Sequence, residues 1–250
     1  DETIHDRALE LIEQYIEENP HISLPDAQET ETHHRTFTGI WASLMLMACS
    51  IAVNMSGSVD KIVREYGASA SDILNGEFYR TVTALMLHSS YPHLAGNMAG
   101  IAIFGTAVCS ITGAGVGWLM ILLSGILGNL ANAILFQYGH ISIGASTAVF
   151  GAIGILAAYQ LSKKIKIAGQ RMKAWLPLAG GLALLGLLGS SKHSDLTAHL
   201  FGFMAGICLG LLYALYLCYL LEKKHQIYCM GVTIGTVVLS WARILFSTKL

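Results

Sequence analysis

Ser146, His199, His93 and Asn97 are the residues of this 250-residue chain whose types and spacing could do chemistry together. A serine hydroxyl is a weak nucleophile until a neighbouring base takes its proton, and histidine is the usual base. His199 could serve Ser146 in that way. Acyl transfer through a serine also needs donors aimed at the oxygen that becomes negative, commonly backbone amides together with Asn or His side chains. His93 and Asn97 are spaced i, i+4, so on a helix they share one face and fit that role. If Ser146 opens a helix, its own amide adds a donor at the positive end of the helix dipole.

The elements that must position these residues are apolar helices. Hydrophobic side chains make up 54% of the chain and charged ones 12%, whereas an average soluble domain carries about 25% charge. Lipid is therefore the expected solvent. A net charge of −1 and the lack of any Lys/Arg stripe leave no field for nucleic acid, so no nucleic-acid partner is expected. Cys49, Cys109, Cys208, Cys218 and Cys229 lie in or against apolar runs without metal-ligand spacing and read as small buried hydrophobes. No metal and no cofactor are expected.

A bilayer core needs about 20 apolar residues per helix. Seven stretches qualify, at approximately 37–56, 93–111, 115–137, 146–161, 174–189, 196–220 and 227–246. Before them, residues 1–36 form an acidic segment without a basic start and apolar core, so no cleavable signal peptide is expected. Within it, Ile4, Ala8, Leu11, Ile12 and Tyr15 recur at helical spacing and predict a short amphipathic helix over 3–18. Residues 57–92 form a long first loop, a length usually associated with function or internal structure.

Orientation follows from Lys163, Lys164, Lys166, Arg171 and Lys173 in the loop after the fourth stretch, and from Lys223 and Lys224 after the sixth. Basic loops stay in the cytoplasm, which predicts a cytoplasmic amino terminus and an active site towards the extracytoplasmic side. Arg243 and Lys249 then fall awkwardly on the outer end of the seventh stretch. With that orientation, the polar starts of the second, fourth and sixth stretches all lie at the outer face. Ionisable and polar groups at membrane depth are costly, so their convergence is a functional signal. Below them, Gly202, Gly206 and Gly210 repeat every four residues, while Gly151 and Gly154 lie below Ser146. Such small residues let helices close up in lipid, bringing serine and histidine within reach.

At these residues the sequence resembles the rhomboid family of intramembrane serine proteases, over roughly 37–221. Gly144, Ala145, Ser146 and Thr147 stand at the family's G-x-S-G nucleophile motif. His93 and Asn97 stand at its histidine-x-x-x-asparagine pair, and His199 and Gly202 at the base motif of the last core helix. Tyr79 and Arg80 match the aromatic-arginine signature of the long first loop, with His88 following. The resemblance implies an all-α, polytopic membrane helix bundle: a cytoplasmic acidic segment at 1–36, a six-helix core at 37–221 and one additional transmembrane helix at 222–250. It implies a Ser146–His199 dyad, oxyanion stabilisation by His93 and Asn97, and single-span membrane proteins, in lipid, as substrates. It gives no oligomeric state. It implies the cytoplasmic membrane if the host is a bacterium and a secretory or surface membrane if it is a eukaryote.

Two positions depart from the family pattern. Thr147 replaces the second motif glycine, and Phe150, one turn below Ser146, replaces a frequent tyrosine while keeping a ring to stack on His199. Asp195 precedes His199 by one turn and reads either as the N-cap of its helix or as a third member of a triad. Arg80, with Glu77 nearby, reads as a structural tie for the first loop. Ser89, Ser90, Gln137, Tyr138, Ser142 and Thr147 could line a water-filled cavity open to the outside.

Three other functions are weighed against proteolysis by serine. A metal protease using His88, His93 and His199 lacks an H-E-x-x-H motif and a partnering carboxylate. A transporter lacks inverted repeats and paired broken helices. A catalytically inactive relative that binds and escorts or retains membrane clients keeps the same fold, and Thr147 is the feature that favours it. The other histidines, including His140, His193 and His225, read as solvated.

Overall fold

The computed structural model describes residues 7, 10, 11, 14, 15, 18, 36–165, 171–189, 195–218 and 221–247. Asp1–His33 forms one unit and His34–Leu250 another. In the first, the described residues are helical, with Arg7 paired to Glu10 and Gln14 donating to Glu18. The remainder of the expected helix over 3–18, most of the acidic segment, and Lys166, His193 and Lys249 lie outside the described residues.

The second unit is an all-α membrane bundle. Its helices are α1 (Thr38–Met55), α2 (Val59–Tyr66), α3 (Ala70–Leu74), α4 (Arg80–Thr83), α5 (Tyr91–Thr112), α6 (Ala114–Phe136), α7 (Ser146–Lys164), α8 (Arg171–Ala174), α9 (Leu176–Gly189), α10 (Leu196–Leu217) and α11 (Lys223–Ser247). The seven apolar stretches predicted from sequence fall on these helices where they are described, with 174–189 divided between the end of α8 and α9. Among the described residues, α1, α5, α6 and α10 are long and apolar enough to cross a membrane. α7 differs because it is the centre of the bundle, with Thr147–Ile155 buried without a break among its neighbours.

The first loop is folded. α2, α3 and α4 follow one another, and Ala68–Ser69 (β1) pairs antiparallel with Ile141–Ser142 (β2), tying this loop to the segment that leads into α7. Arg80 organises it. Its side chain is 9% exposed and makes ion pairs with Glu77 (2.6 Å) and Asp72 (3.2 Å). It also donates to the carbonyls of Arg64 (2.7 Å) and Gly67 (3.3 Å). A buried guanidinium with its donors satisfied in this way holds distant backbone together, which is the structural role expected for Arg80.

α7 and α10 meet along a seam of glycines. A methyl added to Gly202 would run into the Thr147 carbonyl, one at Gly206 into the Gly151 carbonyl, and one at Gly210 into the Ile155 backbone. Only backbone-to-backbone approach places the two helices this close. Gly206→Ala should therefore cost about 1–3 kcal/mol of stability through overpacking. Gly231→Ala on α11, where an added methyl meets nothing, should cost nothing. Thermal unfolding of both variants in detergent checks the pair.

Candidate active site

Ser146 is the first residue of α7 and His199 lies in the first turn of α10. The closeness of the glycine seam below them sets their separation: His199 Nε2 is 2.6 Å from Ser146 Oγ. With the ring proton on Nδ1, Nε2 accepts the serine O–H. The imidazole is buried and stacks on Phe150, at 4.8 Å between centroids and 30° between planes. Phe150 thus supplies the stacking expected of it without a hydroxyl.

The loop before Ser146 is shaped by Gly144, whose φ of +127° is open to glycine and strained for other residues. The Gly144 amide donates to the Ala84 carbonyl (2.9 Å) and the Ala145 amide to His88 Nε2 (3.5 Å). Burial, with the His93 ring beside it, pushes His88 down to about 4. At neutral pH it is an uncharged acceptor, as the Ala145 bond requires. His88 and His93 meet edge to face at 5.4 Å, and His93 Nδ1 lies 3.2 Å from Ser89 Oγ.

His93 and Asn97 come together against Gly144. A Cβ built there would lie 2.7 Å from His93 Nε2 and 3.4 Å from Asn97 Nδ2. Asn97 is buried, and its Nδ2 has no acceptor among the described residues. A buried amide donor without an acceptor is costly. His93 and Asn97, one turn apart on α5, thus flank the loop that leads into Ser146.

Asp195 caps α10, as one of its two expected readings has it. Oδ1 accepts the Ala198 amide (3.0 Å) and lies 2.8 Å from Thr197 Oγ1, whereas Oδ2 accepts from Asn132 Nδ2 (2.7 Å) and His140 Nε2 (2.6 Å). These partners engage both oxygens, which disfavours a triad. Here the reading of His140 as a solvated residue is corrected: its ring stacks on Phe136 at 4.0 Å and ties the end of α6 to the start of α10. A lone histidine in a polar turn gave no periodic signal for that contact.

Burial pushes the Asp195 carboxyl up, but bonds from His140, the Ala198 amide and Thr197 outweigh it and hold the group at about 2. A carboxylate lowered on folding adds stability above its unfolded pKa, and that stability is lost as pH falls from about 4 to about 2. Asp195→Asn should therefore cost about 1–2 kcal/mol at pH 7, since asparagine keeps the cap bond. The difference from wild type should vanish at pH 2 in thermal unfolding.

Two other expectations change. Thr147 does not line a cavity: it is 2% exposed, and its methyl fills the contact between Gly128 and Gly202. Ser142 is buried in the β1–β2 pair, whereas Ser89, Ser90, Gln137 and Tyr138 are exposed. Among the described residues, no three His, Cys, Asp or Glu side chains converge as a metal site.

Comparison with known proteins gives consistent matches. The rhomboid domain model matches residues 75–216. The putative rhomboid protease YdcA of Bacillus subtilis (strain 168) is 29% identical over 156 residues, covering 62% of this chain and 74% of that protein. Rhomboid protease GluP of the same organism is 33% identical over 131 residues, 52% of this chain and 25% of its own length. Inactive rhomboid protein 2 of Homo sapiens is 27% identical over 154 residues, 60% of this chain and 17% of that protein.

Proposed function

Because the chain belongs to the rhomboid family, we propose that it is an intramembrane serine protease, cutting peptide bonds in or near the transmembrane helix of single-span membrane proteins. The observation that carries this reading is the 2.6 Å contact of Ser146 Oγ with His199 Nε2.

In this mechanism His199 Nε2 takes the hydroxyl proton as Ser146 Oγ attacks the scissile carbonyl carbon. The carbonyl oxygen becomes an oxyanion held by Asn97 Nδ2, His93 and the Ser146 amide. His199 then gives the proton to the leaving amine, and the C–N bond breaks to leave an acyl-enzyme. Water, deprotonated by His199, attacks the ester carbon, the acyl C–Oγ bond breaks to release the carboxyl product, and His199 returns the proton to Ser146 Oγ. The substrate segment must be extended to present its carbonyl, so a helix weakened by small residues is the favoured target. The basic residues around the end of α7 and the start of α11 support an active site on the extracytoplasmic side, with the amino terminus in the cytoplasm.

The test is incubation of the purified protein in detergent with a tagged single-span substrate, with product masses locating the cut. Cleavage within or beside the span supports the reading. Binding without cleavage of several such substrates moves the protein to the escort function of an inactive relative, the alternative that Thr147 favours. The Thr147 side chain is buried and seated against Gly128 and Gly202.

A further inference from the structure

α11 lies beyond the residues matched by the rhomboid domain, yet it is pinned to the bundle at two places. Near its start, Gln226 bridges the turn between α5 and α6: Oε1 accepts the Val116 amide (3.1 Å) and Nε2 donates to the Thr112 carbonyl (2.9 Å). Four turns further on, Trp241 Nε1 donates to Met86 Sδ (2.9 Å), and its indole stacks on Tyr66 at 5.5 Å with planes 17° apart.

Both residues touched by Trp241 border the short helical turn Ala84–Met86 that follows α4. Tyr66 reaches it through its carbonyl, which accepts from Thr83 Oγ1 (2.6 Å). Met86 closes it. The turn and the residues just after it hold the residues before the nucleophile: Ala84 accepts the Gly144 amide, and His88, two residues past Met86, accepts the Ala145 amide. These are the backbone bonds of the two residues immediately preceding Ser146. The turn is buried along its length, so its position depends on what fills the space behind it. On the α11 side, that filler is an indole with a directed N–H.

We propose that Trp241 is a positioning residue for Ser146, bracing the turn Ala84–Met86 from which the nucleophile loop is suspended. This rests on Ser146 being the nucleophile. It gives the additional helix a defined part in catalysis: α11 closes the wall behind the active-site loop. Removing the indole leaves a void beside Met86, into which the turn relaxes, and the Gly144 and Ala145 bonds loosen with it.

The test uses the whole chain in detergent, with Trp241→Ala, Trp241→Phe and, as a control on the same helix, the exposed Val238→Ala. Two quantities are read. One is amide-hydrogen exchange in the peptide spanning 141–146. The other is the second-order rate at which a fluorophosphonate labels Ser146. Trp241→Ala should raise the first and lower the second by about tenfold each, since small misplacements of a nucleophile are expensive. Trp241→Phe, which keeps the ring on Tyr66 and loses the N–H, should fall between, and Val238→Ala should match wild type.

A lowered melting temperature with unchanged exchange and labelling in both tryptophan variants would make Trp241 merely structural and overturn the proposal. Faster exchange in Trp241→Ala together with an unlabelled wild-type protein would uphold the brace while overturning the protease reading. Trp241→Phe keeps the test decisive if the alanine variant fails to fold.

Discussion

Ser146→Ala protein, and His199→Ala protein, should bind a single-span substrate and leave it uncut, with cleavage reduced at least about 10⁴-fold in each. The two losses should be equal and should not multiply in the double variant. Serine and histidine act as one unit: without the base the hydroxyl keeps its proton, and without the hydroxyl the base has nothing to activate. Their 2.6 Å separation depends on backbone contact between α7 and α10, and neither substitution touches that seam. Ser146→Ala should therefore keep wild-type melting behaviour, whereas His199→Ala, which empties a buried site stacked on Phe150, should melt lower, so cleavage is compared on folded protein. Cleavage products compared by mass spectrometry, with melting curves alongside, make the measurement. Residual cutting above about one part in a hundred in either variant would reassign the nucleophile or the base.

Legibility in the sequence followed periodicity. Ser146, His199, His93 and Asn97 were readable because each sits at the start of an apolar run, and the run's length fixes its depth in a bilayer. The glycine seam was readable because its spacing of four residues keeps one helix face small. Thr147 was misplaced for a related reason. Residue type says that a group is polar, but a turn of about 100° per residue separates Thr147 from Ser146, carrying it away from the loop side and onto Gly128 and Gly202.

Contacts between segments far apart in sequence left no such trace. His140 meets Asp195 from 55 residues away and Trp241 meets Met86 from 155 residues away. Neither pair repeats, so neither produces a period. The first loop was visible as length, a few charges and the tie expected of Arg80 with Glu77, but not as a fold. Its folding depends on Arg80 collecting two carboxylates and two carbonyls at once, and no local pattern specifies that set.

Asn97 offers the sharpest separation of catalytic from structural roles, because its donor is buried without an acceptor among the described residues. Asn97→Leu keeps the volume and removes the amide. Losing an oxyanion donor should lower kcat by about 10²–10³ while KM stays within a few-fold, since the bond would form only as the carbonyl oxygen gains charge. His93→Ala should fall on the same scale. Stability should move the other way in Asn97→Leu. An unsatisfied buried polar group costs about 1–3 kcal/mol, and leucine relieves that cost, so the melting temperature should hold or rise. An asparagine retained for structure would give the reverse pattern, a lower melting temperature with kcat of the folded protein near wild type. Steady-state cleavage and thermal unfolding, measured on one preparation, distinguish the two, and full activity in both Asn97→Leu and His93→Ala would remove these residues from the oxyanion site.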